Sequence, residues 1–220
     1  MDIRGVIFDL DGTLVDTLED LADAANATLA HFGFPGHSSD AYRYFVGDGL
    51  MTLIERIVPD KNRSRQEVAA CMDIFLQLYG QSWDLQSRPY AGVVEMLQHL
   101  RQAGLKLGVL SNKPHAFTQL CVDRFFAADT FNFVYGQREG VAKKPDPAGA
   151  LEIATLMQLM PQQILYVGDT ATDMQTGNRA GMFTMGVLWG FRERQELEKN
   201  KAGNIISHPS EIVNYVNNKR

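Results

Sequence analysis

The segment Gly5-Val6-Ile7-Phe8-Asp9-Leu10-Asp11-Gly12-Thr13 sets a short β-branched and aromatic run directly against two acids and a glycine. An apolar run without polar alternation suits a strand buried on both faces, as in the middle of a parallel sheet. Similar runs recur at residues 105–110, 131–135, 164–167 and 184–188, each beside a stretch with helical spacing. Those stretches are residues 93–102, 116–126, 147–157 and 173–180, with Gly104 and Gly181 placed as C-terminal stops. The alternation predicts an α/β fold, a three-layer Rossmann-like parallel sheet with crossover helices.

Downstream of this segment the pattern changes. Leu18, Leu21, Ala25, Leu29 and Phe32, then Leu50, Leu53, Ile54 and Ile57, then Val68, Met72, Phe75 and Tyr79 are helically spaced, with no strand among them. The chain therefore leaves the sheet after its first strand and turn, builds a small helical bundle and returns near residues 87–92. The expected organisation is an α/β core of residues 1–16 and 85–220 with an inserted helical cap of residues 17–84. Two connections at one edge suit a cap that tilts over a site beneath it.

The 220 residues are 45% hydrophobic and 21% charged, which suits a packed core and not a disordered chain. A formal charge of -5 gives no overall attraction to nucleic acid or anionic lipid. Cys71 and Cys121 lie far apart in apolar helical runs, so neither a disulfide framework nor a zinc motif is expected. The N-terminal apolar run is too short for a signal peptide, and no stretch approaches the roughly 18 to 20 apolar residues of a bilayer span. A cytoplasmic protein without a membrane or nucleic-acid partner is the expectation.

In open α/β sheets ligands sit beyond the carboxyl ends of the strands, so the residues just after each apolar run matter most. The first run ends in Asp9 to Thr13 and the second in Ser111-Asn112-Lys113. A later loop carries Lys143-Lys144-Pro145, and residues 164–167 lead into Gly168-Asp169-Thr170-Ala171-Thr172-Asp173. Together they place four carboxylates, a hydroxyl and an ammonium around one crevice. Asp9 and Asp11 alternate along an extended backbone, which turns both the same way. One of two such acids can attack phosphorus and form an aspartyl-phosphate. The other can give a proton to the leaving oxygen and later take one from water. Turn and capping chemistry accounts equally well for an isolated D-x-D-G.

Asp169 and Asp173, four apart across a helix start, complete the acid cluster. Four carboxylates stay ionised together only if a cation offsets them, and an all-oxygen donor set favours Mg2+ over zinc. Read as a calcium loop, DLDGTLVDTLED fails at its sixth position, Leu14, where that loop needs glycine. Ser111 can donate to a phosphoryl oxygen, with Pro114 opening the next helix and its N–H groups assisting; alone, a serine there is an ordinary N-cap. Lys144 can neutralise nucleophile and phosphate together, whereas a lone lysine is ordinarily solvated surface.

DLDGT, Ser111 after a strand, Lys144 in KPDP and GDTATD occur here in the order of the four signatures of the haloacid dehalogenase-like (HAD) hydrolase superfamily, which the chain resembles from Asp9 to Asp173. The resemblance implies that Asp9 is the nucleophile and Asp11 the acid-base. It implies Mg2+ held by the Asp9 side chain, the Asp11 main-chain carbonyl and Asp169, with Asp173 in support. An insertion straight after DLDGTLVDT, followed by SNKP and KKPDP, is similar to the phosphoglycolate phosphatase-like branch, which implies hydrolysis of a small phosphorylated metabolite. Catalytic candidates are then Asp9, Asp11 and Lys144. Substrate-binding candidates are Thr13, Ser111, Asn112, Lys113 and, in the glycine-rich cap loop, Gly47 and Asp48; glycine-rich helix junctions are common without function, and that loop reads more readily as a plain interhelical turn.

His115 and Arg192 are further leaving-group candidates. Phosphonate hydrolysis would need a cap lysine, and Lys61 lies in a polar loop unsuited to lowering its pKa. Two rival readings remain. One is a β-phosphoglucomutase-like phosphoryl transfer, for which the resemblance implies a Glu-Asp pair where this chain has Gly168-Asp169. The other is a receiver-like phospho-Asp switch, which needs neither the insertion nor Asp11.

Overall fold

The computed structural model describes residues 2–219. Gly5–Phe8 form strand β1, every residue of it buried. It lies between Lys106–Pro114 (β4) and Ile164–Gly168 (β6), parallel to both. Phe133–Gln137 (β5) flank β4, while Phe183–Val187 (β7) and Asn204–Ile206 (β8) extend the other side. The six-stranded order is β5-β4-β1-β6-β7-β8. The chain runs outward from β1 on one side and then restarts on the other. The carboxyl end of β1 thus lies at the point where connections diverge and a crevice opens.

Side-chain alternation along β1 makes the three layers. Val6 and Phe8 join Val93, Met96, Leu97 and Leu100 of helix α5 (Val93–Gln102) in one buried cluster. Ile7 faces the other side, with Ala150, Ile153 and Ala154 of helix α7 (Ala148–Leu156). Helices α6 (His115–Phe125) and α8 (Ala171–Arg179) complete the crossovers. The expected strands and helices are present, with ends shifted by a few residues. One shift matters: β4 continues through Pro114, which precedes α6 instead of opening it. The β4–β5 register breaks between Leu110 and Pro114, so Ser111, Asn112 and Lys113 lie where regular pairing lapses at the carboxyl end of β4.

The helical insertion comprises α1 (Leu18–His31), α2 (Ser39–Phe45), α3 (Leu50–Ile57) and α4 (Arg65–Ser82). Leu21, Ala25, Leu29, Leu53, Ile54, Ile57, Val68, Phe75 and Tyr79 form its own buried cluster. The departing and returning segments pair as a two-stranded antiparallel ribbon, Val15–Asp16 (β2) with Arg88–Pro89 (β3). Asp20, buried on α1, fastens the return by accepting from the N–H groups of Gln86 and Ser87 and from the Ser87 hydroxyl. Beyond β7 the chain adds α9 (Arg194–Lys199), β8 and α10 (Ser210–Asn217), which the sequence pattern does not announce.

Candidate active site

Asp9 is the first residue past β1; its Oδ1 accepts from Leu10 N at 2.7 Å and forms an ion pair with Lys144 Nζ at 2.8 Å. Its Oδ2 has no protein partner among the described residues, and Asp9 lines the crevice. Burial and the Asp173 carboxylate push Asp9 well above the usual carboxylate range, against the pull of Lys144. Asp11, two residues on, lines the same crevice. Its Oδ1 accepts from Thr17 Oγ1 at 2.8 Å and Lys113 Nζ at 3.0 Å.

Asp169, after β6, and Asp173, in the first turn of α8, each bring an oxygen into a cluster with Asp9 in which the three ligand atoms lie within 4.8 Å of one another. Thr13 donates to Asp169 Oδ1 at 2.9 Å, and Phe191 N–H donates to Oδ2 at 2.8 Å. Asp173 caps α8 by accepting from Thr170 N–H and Oγ1, and its other oxygen takes Lys144 Nζ at 2.7 Å. Burial first, and Asp173 next, push Asp169 up to about 7. Burial alone would lower Lys144, but Asp173 and Asp9 outweigh it and hold the ammonium charged. Gly12 permits this crowding: its φ is +84° and a Cβ there would stand 2.4 Å from Asp169 Oδ2.

Three buried acids against one ammonium leave net negative charge in a water-poor place. That is the donor chemistry of a hard divalent cation, and the residues present fit one.

The remaining predicted residues divide. Ser111 Oγ accepts from Lys113 N at 3.2 Å, and among the described residues no acceptor takes its own proton, which stays available to the crevice. Asn112 is a brace: Oδ1 accepts from Lys144 N, and Nδ2 donates to the carbonyls of Lys144 and Gly47. Thr13 is spent on Asp169. Asp48 turns from the crevice to pair with Arg56 and accept from Thr172, with both pulling its carboxyl below the usual value despite burial. Lys113 lies in the crevice wall between Asp11 and Tyr79.

Gly47, with φ +113°, shapes the cap loop. Three consecutive carbonyls of that loop are gripped by side chains of the sheet unit: Val46 by Arg192, Gly47 by Asn112 and Asp48 by Lys143. His115 is engaged elsewhere, accepting from Gly136 N.

Sequence reasoning misses Thr17, Tyr79 and the Phe191 N–H, each of which holds a group it names. Thr17 stands just past the acid motif and is within reach of a spacing argument, six residues after Asp11. Tyr79 reads only as core, because nothing in a helical stripe separates a packed ring from one whose hydroxyl meets a lysine.

The family described as haloacid dehalogenase-like hydrolase matches residues 6–187. A phosphoglycolate phosphatase of Psychrobacter arcticus is 31% identical, over 98% of this chain and 96% of its own. One from Pseudomonas putida is 32% identical, over 92% of this chain and 76% of its own. A solved structure from Lactobacillus delbrueckii subsp. bulgaricus superposes with a TM-score of 0.92 at 26% identity, covering 98% of this chain and 99% of that one.

Proposed function

The chain belongs to the haloacid dehalogenase-like hydrolase family, and we propose that it is a Mg2+-dependent phosphatase that hydrolyses a small phosphoglycolate-like monoester through an aspartyl-phosphate. The observation that carries this reading is the state of Asp9: one oxygen is fixed by Lys144, the other has no partner among the described residues, and the residue lines a crevice beside a second acid. Residues 17–84 serve as the cap, and residues 1–16 and 85–220 as the core.

Asp9 Oδ2 attacks phosphorus in line, and the ester bond to the leaving oxygen breaks. Asp11 gives that oxygen a proton and then takes one from the water that cleaves the aspartyl-phosphate. Lys144 and the free Ser111 hydroxyl hold the phosphoryl oxygens, while Asn112 keeps the Lys144 loop in place. Asp9, the Asp11 main-chain carbonyl and Asp169 would hold Mg2+, with Asp173 in support; when bound it supplies charge screening between nucleophile and phosphate.

The rival readings fit less well. A glutamate at position 168, the residue usual in the mutase pattern, has no room on this backbone, because a Cβ there would stand 2.3 Å from Asp173 Cβ. A receiver-like switch has no use for Asp11 in the crevice. Among the described residues no helix is long and apolar enough to cross a membrane, and two free buried thiols suit a reducing cytoplasm.

Repeated turnover of p-nitrophenyl phosphate that stops on EDTA addition is the expected result. Asp9→Asn should abolish it with the thermal transition intact. Near-normal hydrolysis by that variant removes the assignment.

A further inference from the structure

The crevice, about 520 Å³ with its open mouth included, has two unlike halves. The phosphoryl half is lined by Asp9, Ser111 and their neighbours. The half that would receive the leaving alcohol is walled by Leu21, Leu50, Leu53, Phe75, Leu76 and Phe117. Into that apolar half project two polar groups, Lys113 from β4 and Tyr79 from α4.

Lys113 is a buried ammonium, its side chain 3% exposed. Its Nζ lies 3.0 Å from Asp11 Oδ1 and 2.7 Å from Tyr79 Oη. An ammonium carries three N–H donors, and among the described residues the third meets no acceptor. Other cations around the crevice are already engaged. Lys144 serves Asp9 and Asp173, and Lys143 serves the Asp48 carbonyl and Thr52; Arg192 serves the Val46 carbonyl and Glu196 and keeps an unpartnered Nη1, but among the described residues Lys113 is the cation that lines the crevice.

Resting on the phosphatase reading, we propose that Lys113, held by Tyr79, is the specificity-determining residue, binding a carboxylate carried by the leaving alcohol one carbon from the ester oxygen. The geometry sets the spacing. Asp11 must reach the ester oxygen to protonate it, and Lys113 Nζ touches the same carboxyl group. A substituent one carbon beyond that oxygen therefore arrives at Nζ. An anion there completes the third donor and meets a charge already desolvated, so recognition needs little rearrangement. Sugar or nucleoside hydroxyls would instead lie unpaired against leucine and phenylalanine, which disfavours those esters. Because Tyr79 belongs to the insertion, the subsite is complete only with the insertion seated.

The test compares 2-phosphoglycolate with the phosphate ester of glycolamide, which has the same shape without the charge. Wild type should favour the acid by about 30- to 100-fold in kcat/KM. Lys113→Met weakens both reactions through Asp11 but should bring their ratio near one, and Lys113→Arg should keep most of the preference. Product inhibition gives a second readout that needs no proton transfer from Asp11: the Ki of glycolate should rise about tenfold or more in Lys113→Met, with folding checked by thermal melting.

A preference that survives Lys113→Met, or a wild type that does not distinguish the two esters, overturns the assignment of Lys113 while p-nitrophenyl phosphate turnover keeps the phosphatase reading. Absence of hydrolysis of every ester overturns both.

Discussion

A carboxyl group at position 169 that ionises near 7 makes stability depend on pH and on metal. Its folded-state value is raised, from 3.8 to about 7, by burial and by Asp173. The folded protein therefore binds more protons than the unfolded chain across that interval, and stability present at low pH is lost as pH rises through it. With EDTA, the melting temperature should fall between about pH 4 and 7, and the gain from added Mg2+ should grow over the same interval as the ligands deprotonate. A Mg2+ gain that stays constant or shrinks between about pH 4 and 7 contradicts the acid cluster as its site. Asp9, Asp11, Ser111, Lys144, Asp169 and Asp173 were legible in sequence because a parallel sheet delivers the residues just past its strands to one edge. Thr13, Asn112 and Asp48 show the limit. Each hydrogen-bonds to a partner on another element, Asp169, Lys144 or Thr172, and no local pattern tells a group that touches substrate from one that braces its neighbour.

Helix α4 carries Tyr79 and so sets one wall of the crevice. Its start is fixed by a reciprocal cap, in which Ser64 Oγ accepts from Glu67 N–H and Glu67 accepts from Ser64 N–H. Ser64→Ala should cost about 1 kcal/mol, seen as a lower urea midpoint with kcat unchanged, because the cap lies at the end of α4 remote from Tyr79. An unchanged midpoint would show that the cap is not formed in solution. Helices with a clear apolar stripe were readable, as were strands buried on both faces. The segment beyond residue 190 was not. There β8 is a three-residue edge strand, and α9 buries only Leu197, too little periodicity to stand out from a polar loop.

At the scale of the molecule, among the described residues two hydrophobic clusters serve the sheet and a third serves the insertion, yet one buried member of the third comes from the sheet unit. Phe191 follows β7, its N–H holds Asp169 and its ring packs with the buried residues of the helical insertion. Phe191→Ala should cost about 3–5 kcal/mol and speed amide exchange throughout α1–α4 more than in the sheet. Equal protection in both units would mean that the ring does not anchor one to the other.

The grip of the sheet unit on Val46, Gly47 and Asp48 is made through main-chain oxygens. Every residue type supplies such an oxygen, so the grip itself sets no side chain at positions 46 and 48, while the positive φ keeps glycine at 47. Descendants of this chain can accumulate replacements at its outer positions and explore new esters without loosening the lid. Adaptability is thereby separated from closure.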